Sequence, residues 1–262
     1  MSERITIVKS FYEEVDEEQR LGKSRHGQLE FRTTMEYIHR IVPEDAKILE
    51  VGAGTGRYSV TLAKEGYEVT AIELLENNLE VLKGKAQGLD HLQEFQGDAL
   101  DLSRWEDETF DLTLVLGPMY HLYEKEQVHK AIDEAIRVTK KDGVIFFAFL
   151  SVYAILFNNY LKENLQDGIE ENFTEDYEIR HFEEQLFTGY DIVEFEELFA
   201  GKDIEYMSTV ATDTILELAR KRTDFVMSDE DFEAFAKYHL AFCEKRELLG
   251  ASSHLLYICK KK

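Results

Sequence analysis

The stretch Ile48-Leu-Glu-Val-Gly-Ala-Gly-Thr-Gly-Arg57, with Glu73 closing Tyr67-Glu-Val-Thr-Ala-Ile-Glu73, constrains this chain more than any other. It reads as a short buried strand, a glycine turn, a helix, a second strand and then an acid. Such a unit suits an adenosine-containing cofactor, and the glycine spacing discriminates between cofactors. A dinucleotide turn follows G-x-G-x-x-G, with an acid roughly 20 residues on. After Gly52 and Gly54 the third glycine of that pattern falls on Arg57, where a side chain obstructs close packing of helix on strand.

The same β-α alternation continues along the chain. Strands are predicted at Lys47 to Val51, Glu68 to Ile72, Leu92 to Gln96 and Phe110 to Leu116. Helices are predicted at Arg57 to Glu65, Glu76 to Gln87 and Gln127 to Thr139. Asp142-Gly143 is expected to turn the chain into Val144-Ile-Phe-Phe-Ala-Phe-Leu150, whose continuous apolar character suits a strand buried on both faces. A helix at Glu194 to Phe199 and strands at Ile204 to Val210 and His254 to Cys259 complete a count of seven strands. Two helical patterns, broken at Val226-Met-Ser-Asp229, lie between the last two strands. Repeated β-α-β units imply a parallel sheet covered by helices on both sides. Ahead of the first strand, Ile7, Phe11 and Val15, then Leu29, Phe31, Met35, Ile38 and Ile41, form apolar stripes at helical spacing. Gly22 and Gly27 suggest a joint between two helices, and Pro43 ends the second.

Composition narrows the function. The formal charge is −23, which repels phosphate backbones and disfavours nucleic acid as a partner. Hydrophobic residues make up 44% of the 262, enough for a packed core. No apolar run approaches the roughly 20 residues of a membrane span. Met1-Ser-Glu-Arg-Ile-Thr lacks a signal-peptide pattern, so a cytoplasmic setting is expected; the expected state, either monomer or homodimer, is left open by the sequence. Cys243 and Cys259 are the only cysteines and read as core residues rather than a metal or disulfide framework, so no metal is expected.

The octet E-V-G-A-G-T-G-R, from Glu50 to Arg57, resembles motif I of the class I S-adenosylmethionine-dependent methyltransferases. That resemblance implies an α/β fold: a Rossmann-like, doubly wound, mostly parallel seven-stranded sheet with N-terminal helices and an inserted cap. It divides the chain into a helical lid (1–42), a cofactor-binding core (43–150), a substrate-side cap (151–202) and a C-terminal part of the sheet with inserted helices (203–262). It implies S-adenosylmethionine as cofactor and S-adenosylhomocysteine as product. Glu73 would accept hydrogen bonds from the ribose hydroxyls, and Asp98 in Gly97-Asp98-Ala99 one from the adenine amino group. Glu50, Gly52, Ala53, Gly54, Gly56, Leu74, Ala99 and Leu116 would line the rest of the cofactor site. Phe11-Tyr12 and the run Arg25 to Thr33 resemble the leading helices of small-molecule methyltransferases, so Tyr12, Arg25 or Arg32 would meet the methionine carboxylate.

For a methyl transfer the protein mainly aligns the acceptor and removes its proton where needed. The loop Leu116-Gly117-Pro118-Met119-Tyr120-His121-Leu122 follows the fourth strand. Tyr120 is a candidate for orienting the substrate and His121 for a general base. Tyr153, Phe157, Tyr160, His181 and Phe182 are candidates for an acceptor pocket. The expected function is methyl transfer to a small-molecule acceptor. The alternatives are an NAD(P)-dependent oxidoreductase, which Arg57 disfavours, and a catalytically silent S-adenosylmethionine-binding sensor or partner protein.

Overall fold

In the computed structural model, residues 3–14, 20–182 and 184–262 are described; Val15 lies outside them. The chain runs α1 (Glu3–Glu14), α2 (Arg20–Lys23), α3 (Arg25–Ile41), β1 (Lys47–Val51), α4 (Arg57–Lys64), β2 (Glu68–Glu73), α5 (Glu76–Ala86), β3 (Leu92–Gln96) and β4 (Phe110–Val115). A 3₁₀ turn, Pro118–His121, leads into α6 (Lys125–Val138), β5 (Thr139–Leu150), α7 (Val152–Asn159), α8 (Leu165–Asn172) and α9 (Ile192–Glu197). The chain then continues through β6 (Ile204–Ala211), α10 (Leu216–Arg220), α11 (Asp229–Phe242), α12 (Arg246–Leu249) and β7 (His254–Lys261).

The strands form one seven-stranded sheet in the order β3-β2-β1-β4-β5-β7-β6. β1 pairs in parallel with β2, Ile48 opposite Val69, and with β4, Ile48 opposite Leu112. β7 is inserted antiparallel between β5 and β6, with Phe147 and Thr209 both opposite Tyr257. Successive side chains of a strand face opposite sides, and the core divides accordingly. Ile48, Leu112, Leu114 and Phe146 pack with Met35 and Ile38 of α3, Leu62 of α4 and Leu82 of α5. Leu49, Val115, Ile145, Phe147 and Phe149 pack on the other face with Val128 and Ile132 of α6 and Phe195 and Phe199 nearby. The sheet is therefore doubly wound. Its strand order reverses between β1 and β4, where ligands of open α/β sheets collect.

Three local expectations need correction. Gly27 does not interrupt a helix: it sits in the first turn of α3, its N–H donating to the Oγ of the N-cap Ser24. Asp142-Gly143 is no turn between elements but a kink within β5, with Asp142 at φ 63° and the β4–β5 register shifting between Phe110 and Leu112. A Cβ on Gly143 would stand 2.9 Å from the Lys140 carbonyl, so the kink requires glycine. Residues 151–190, where periodicity fades, contain α7 and α8. Among the described residues no helix is long and apolar enough to cross a membrane.

The antiparallel edge depends on an aromatic stack. Phe195, fully buried, lies 4.0 Å from Phe149 with the rings 11° apart, and Phe199 stacks equally closely on Tyr257. Phe195→Ala is expected to cost roughly 3–5 kcal/mol, read as a lower urea midpoint with an unchanged slope. A loss below ~1 kcal/mol would show that this edge does not depend on the stack.

Candidate active site

The carboxyl ends of β1, β2, β4, β5 and the start of β7 surround one cavity of about 660 Å³. The glycine turn forms its floor. Gly52, Gly54 and Gly56 all take positive φ (76°, 56° and 82°), which side chains rarely adopt. The N–H groups of Gly52 and Ala53 both donate to the Ile72 carbonyl, at 2.8 and 2.9 Å, tying the turn to β2. A Cβ on Gly52 would stand 2.7 Å from Pro118 Cδ, so the 3₁₀ turn after β4 presses directly on the glycine turn. Gly56 serves differently from expectation. It does not line the cavity, and a Cβ there would meet Leu82 of α5 at 2.2 Å. Its role is packing.

Glu73 closes β2 and is buried. Its Oε2 accepts the Gly54 N–H and its Oε1 the Leu75 N–H, each at 2.8 Å. The Glu73 side chain lines the cavity. Glu50, beneath the turn, accepts bonds from the Ser59 N–H at 2.9 Å and the Ser59 hydroxyl. Burial pushes its pKa up to about 7; the Ser59 bonds oppose the shift and the neighbouring Glu73 charge adds to it. Asp98 accepts the Leu100 N–H on Oδ1, while its Oδ2 pairs at 2.5 Å with Arg4 of α1. Ala53, Leu74, Ala99 and Leu116 line the cavity as expected. Arg57 places its guanidinium 4.6 Å from the Phe31 ring centre, stitching α3 to the start of α4.

Tyr120 and His121 both line the cavity and are buried. The Leu186 carbonyl, 2.8 Å from His121 Nδ1, can only accept, so that nitrogen carries the proton. Nε2 is left to accept from the Tyr12 hydroxyl at 3.3 Å. Burial, aided by the Arg4 charge, holds the His121 pKa down to about 4 despite the Leu186 bond. The imidazole is therefore neutral at physiological pH.

Not every expected residue joins the site. Arg32 is half exposed, pairs with Glu233 at 2.7 Å and does not line the cavity. Arg25 pairs with Asp229 and lies over the Phe232 ring. The side chains of both arginines were free to satisfy carboxylates on α11 instead. Tyr153 and Phe157 face solvent, and His181 is held between Thr188 and Glu194. Neither His181 nor Phe182 lines the cavity; of the aromatic candidates only Tyr160 does.

Other lining residues carried no sequence signal. Arg4, His26, Asn78, Asn158, Gln185, Glu217 and His254 come from separate elements that only folding brings together. The last of these belongs to a buried cluster. Asp213 Oδ1 accepts the Ser252 hydroxyl and the Ser253 and His254 N–H groups, and its Oδ2 lies 2.7 Å from His254 Nδ1. Burial opposes charge on His254, but Glu30, Asp213 and Glu217 outweigh it and raise its pKa to about 9. Asp213, Glu217 and His254 hold atoms of metal-ligand type within 4.8 Å of one another. A metal ion there would have to displace bonds that Asp213 already makes on both oxygens.

Glu50 yields a pH prediction. Its unfolded pKa lies near 4.5 and its native pKa near 7, so between these values the native state holds more protons than the unfolded chain. Stability therefore falls as pH rises through that window, and the deficit, roughly 3 kcal/mol, is complete above it. Glu50→Gln keeps an acceptor for the Ser59 N–H without the charge. It is expected to raise the denaturation midpoint at pH 8 and to leave it little changed at pH 4.5. An equal gain at both pH values would contradict an uncompensated Glu50 charge.

Residues 49–147 match the family described as a methyltransferase domain. The chain is 34% identical over 99 residues to a demethylmenaquinone methyltransferase of Clavibacter sepedonicus, covering 38% of this chain and 39% of that one. It is 30% identical over 106 residues to a ubiquinone biosynthesis O-methyltransferase of Idiomarina loihiensis, covering 40% and 42%. It spans about two fifths of the length of these curated relatives. In fold it is similar to a protein from Pyrococcus horikoshii, with a TM-score of 0.61 at 17% identity over 97% of this chain and 99% of that one. A SAM-dependent methyltransferase from Thermotoga maritima gives 0.58 at 17% identity over 98% and 99%. With the glycine turn, Glu73 and the doubly wound sheet in place, these likenesses identify residues 49–147 as a methyltransferase domain, in a fold shared with S-adenosylmethionine-dependent methyltransferases.

Proposed function

We propose that the chain is a methyltransferase that uses S-adenosylmethionine to methylate a small-molecule acceptor. The observation that carries this reading is Glu73, whose carboxylate is fixed by the Gly54 and Leu75 N–H groups at the rim of the glycine turn. A preoriented, buried carboxylate at the end of β2 suits a pair of ribose hydroxyls. Gly52, Ala53 and Gly54 give the amino-acid part access to backbone, with Glu50 behind them. Leu74, Asp98 and Ala99 take the adenine end, and Leu116 and Tyr12 lie toward the reacting end. When bound, the cofactor would supply an electrophilic sulfonium methyl carbon for the acceptor.

The protein's own part is alignment. Tyr120 forms a cavity wall beside the glycine turn. His121 joins three segments: its own 3₁₀ turn, the Leu186 loop through Nδ1–H, and α1 through the Tyr12 hydroxyl. A pKa near 4 gives little driving force for taking a proton, so we assign His121 to positioning rather than to general base. With Arg4 on Asp98, it fastens α1 over the cavity at two points.

Calorimetric titration with S-adenosylhomocysteine and with NADH tests the cofactor, and radiolabelled methyl transfer to a metabolite panel separates an enzyme from a sensor. S-adenosylhomocysteine should bind and NADH should not; the reverse would overturn the reading. Glu73→Ala removes two charge-assisted hydrogen bonds to ligand, so affinity should fall roughly 100-fold. Turnover of the parent protein should show no ionisation from His121 between pH 6 and 9, and a His121→Ala variant should change the rate but not the profile in that range.

A further inference from the structure

Away from the glycine turn, the cavity lining includes the Glu217 carboxylate and two unpartnered amide oxygens. Asn158 donates through Nδ2 to Glu217 Oε2 at 3.1 Å and to Ser253 Oγ at 3.0 Å, which fixes the direction of its amide. Its Oδ1 is buried without a hydrogen-bond partner. Gln185 Oε1 is likewise buried without a partner, on a side chain only 5% exposed. His26, 8% exposed, has no partner at Nδ1, and burial lowers its pKa. All three residues line the cavity with Glu217 and His254. Leu150, Ala154, Ile155 and Phe187 supply an apolar wall.

We infer that this side of the cavity is an ammonium-binding subsite, and that the methyl acceptor is a primary or secondary amine carried on an apolar group. The inference rests on the methyltransferase reading above. A carboxylate ligand brings no donors and an alcohol one, whereas a primary ammonium brings three, for which Glu217 and the unpartnered amide oxygens of Asn158 and Gln185 are acceptors. Charge points the same way. The carboxylates of Glu30, Asp213 and Glu217 converge here against the Arg220 guanidinium and the proton of His254. The −23 charge of the whole chain also draws cations toward the cavity.

His254 couples the subsite to pH. It is faced by Glu30 and His26 from α3, Asp213 from the end of β6, Glu217 from α10 and the Tyr120 ring, with Arg220 beside His26 and Glu217. Asp213 engages Nδ1, leaving Nε2 as the other ring nitrogen. An entering ammonium competes with the His254 proton for the same carboxylates, so amine affinity rises as pH climbs toward about 9. Once deprotonated, Nε2 is a base of suitable strength for the proton the amine must shed.

The test uses the full chain saturated with S-adenosylhomocysteine and three probes of one shape: phenethylamine, 2-phenylethanol and 3-phenylpropionate. The amine should bind at least about tenfold more tightly than the alcohol, with the carboxylate weakest. Its affinity should rise several-fold from pH 7 to pH 9. Glu217→Gln and Asn158→Leu should each remove most of the preference while S-adenosylhomocysteine affinity, which also reports folding, stays unchanged. An alcohol that binds as well as the amine, or a carboxylate that binds best, overturns the inference. So does manganese alone binding at Asp213, Glu217 and His254 and excluding the amine. If the parent protein fails to bind S-adenosylhomocysteine, the methyltransferase reading fails. If it binds that product without preferring the amine, only the subsite fails.

Discussion

Two backbone N–H groups held by one buried carboxylate organise this molecule. Glu73 grips Gly54 on one side and Leu75 on the other, and so fixes both the glycine turn after β1 and the chain leaving β2. The adjoining Ile72 carbonyl accepts from Gly52 and Ala53 and locks the same two strand ends together. Pro118 then rests on Gly52, which brings the 3₁₀ turn and with it Tyr120 and His121 to the cavity wall. The positive φ angles of the turn are maintained by this frame, because an isolated chain would not hold three glycines in one rare conformation.

The parts of this arrangement visible in the sequence are those encoded over short distances. β1 and β3 fall where alternation and apolar runs place them, and Glu73 and Asp98 follow their strands in order. Burial on both faces makes central strands continuous and apolar, which a sequence displays without ambiguity. The kink at Asp142-Gly143 was misread as a turn because aspartate and glycine favour a turn and a strand kink alike. Gly56 shows the same ambiguity at the site. Its place in a glycine turn was legible, but its closeness to Leu82 on α5 was not, so a residue that does not line the cavity was read as a cofactor contact.

The acceptor side was scarcely legible, for a different reason. His26, Asn158, Glu217 and His254 come from α3, α7, α10 and β7, with no spacing in common. The aromatic run from Tyr153 to Phe182 was the more conspicuous signal, yet most of its rings pack or face solvent. Arg32 and Arg25 illustrate the limit of residue type as evidence. Each is an arginine of α3, and each finds its carboxylate on α11 rather than on a ligand.

The molecule buries or half-buries several carboxylates and stabilises each by a different means. Glu73 takes backbone N–H groups, which carry partial positive charge without a counter-ion. Asp98 takes the Arg4 guanidinium, so its neutralisation depends on α1 being in place. Asp213 collects a hydroxyl, two N–H groups and an imidazole, and is the most completely satisfied of them. Glu50 has only Ser59, and its charge is correspondingly costly. Bonds from neutral donors suffice where several converge, as at Asp213, and fall short where one side chain must serve alone. Glu50, the acid among these whose charge is least compensated, lines the cavity. That is where a fold can leave charge undercompensated, because a ligand can supply what the protein does not.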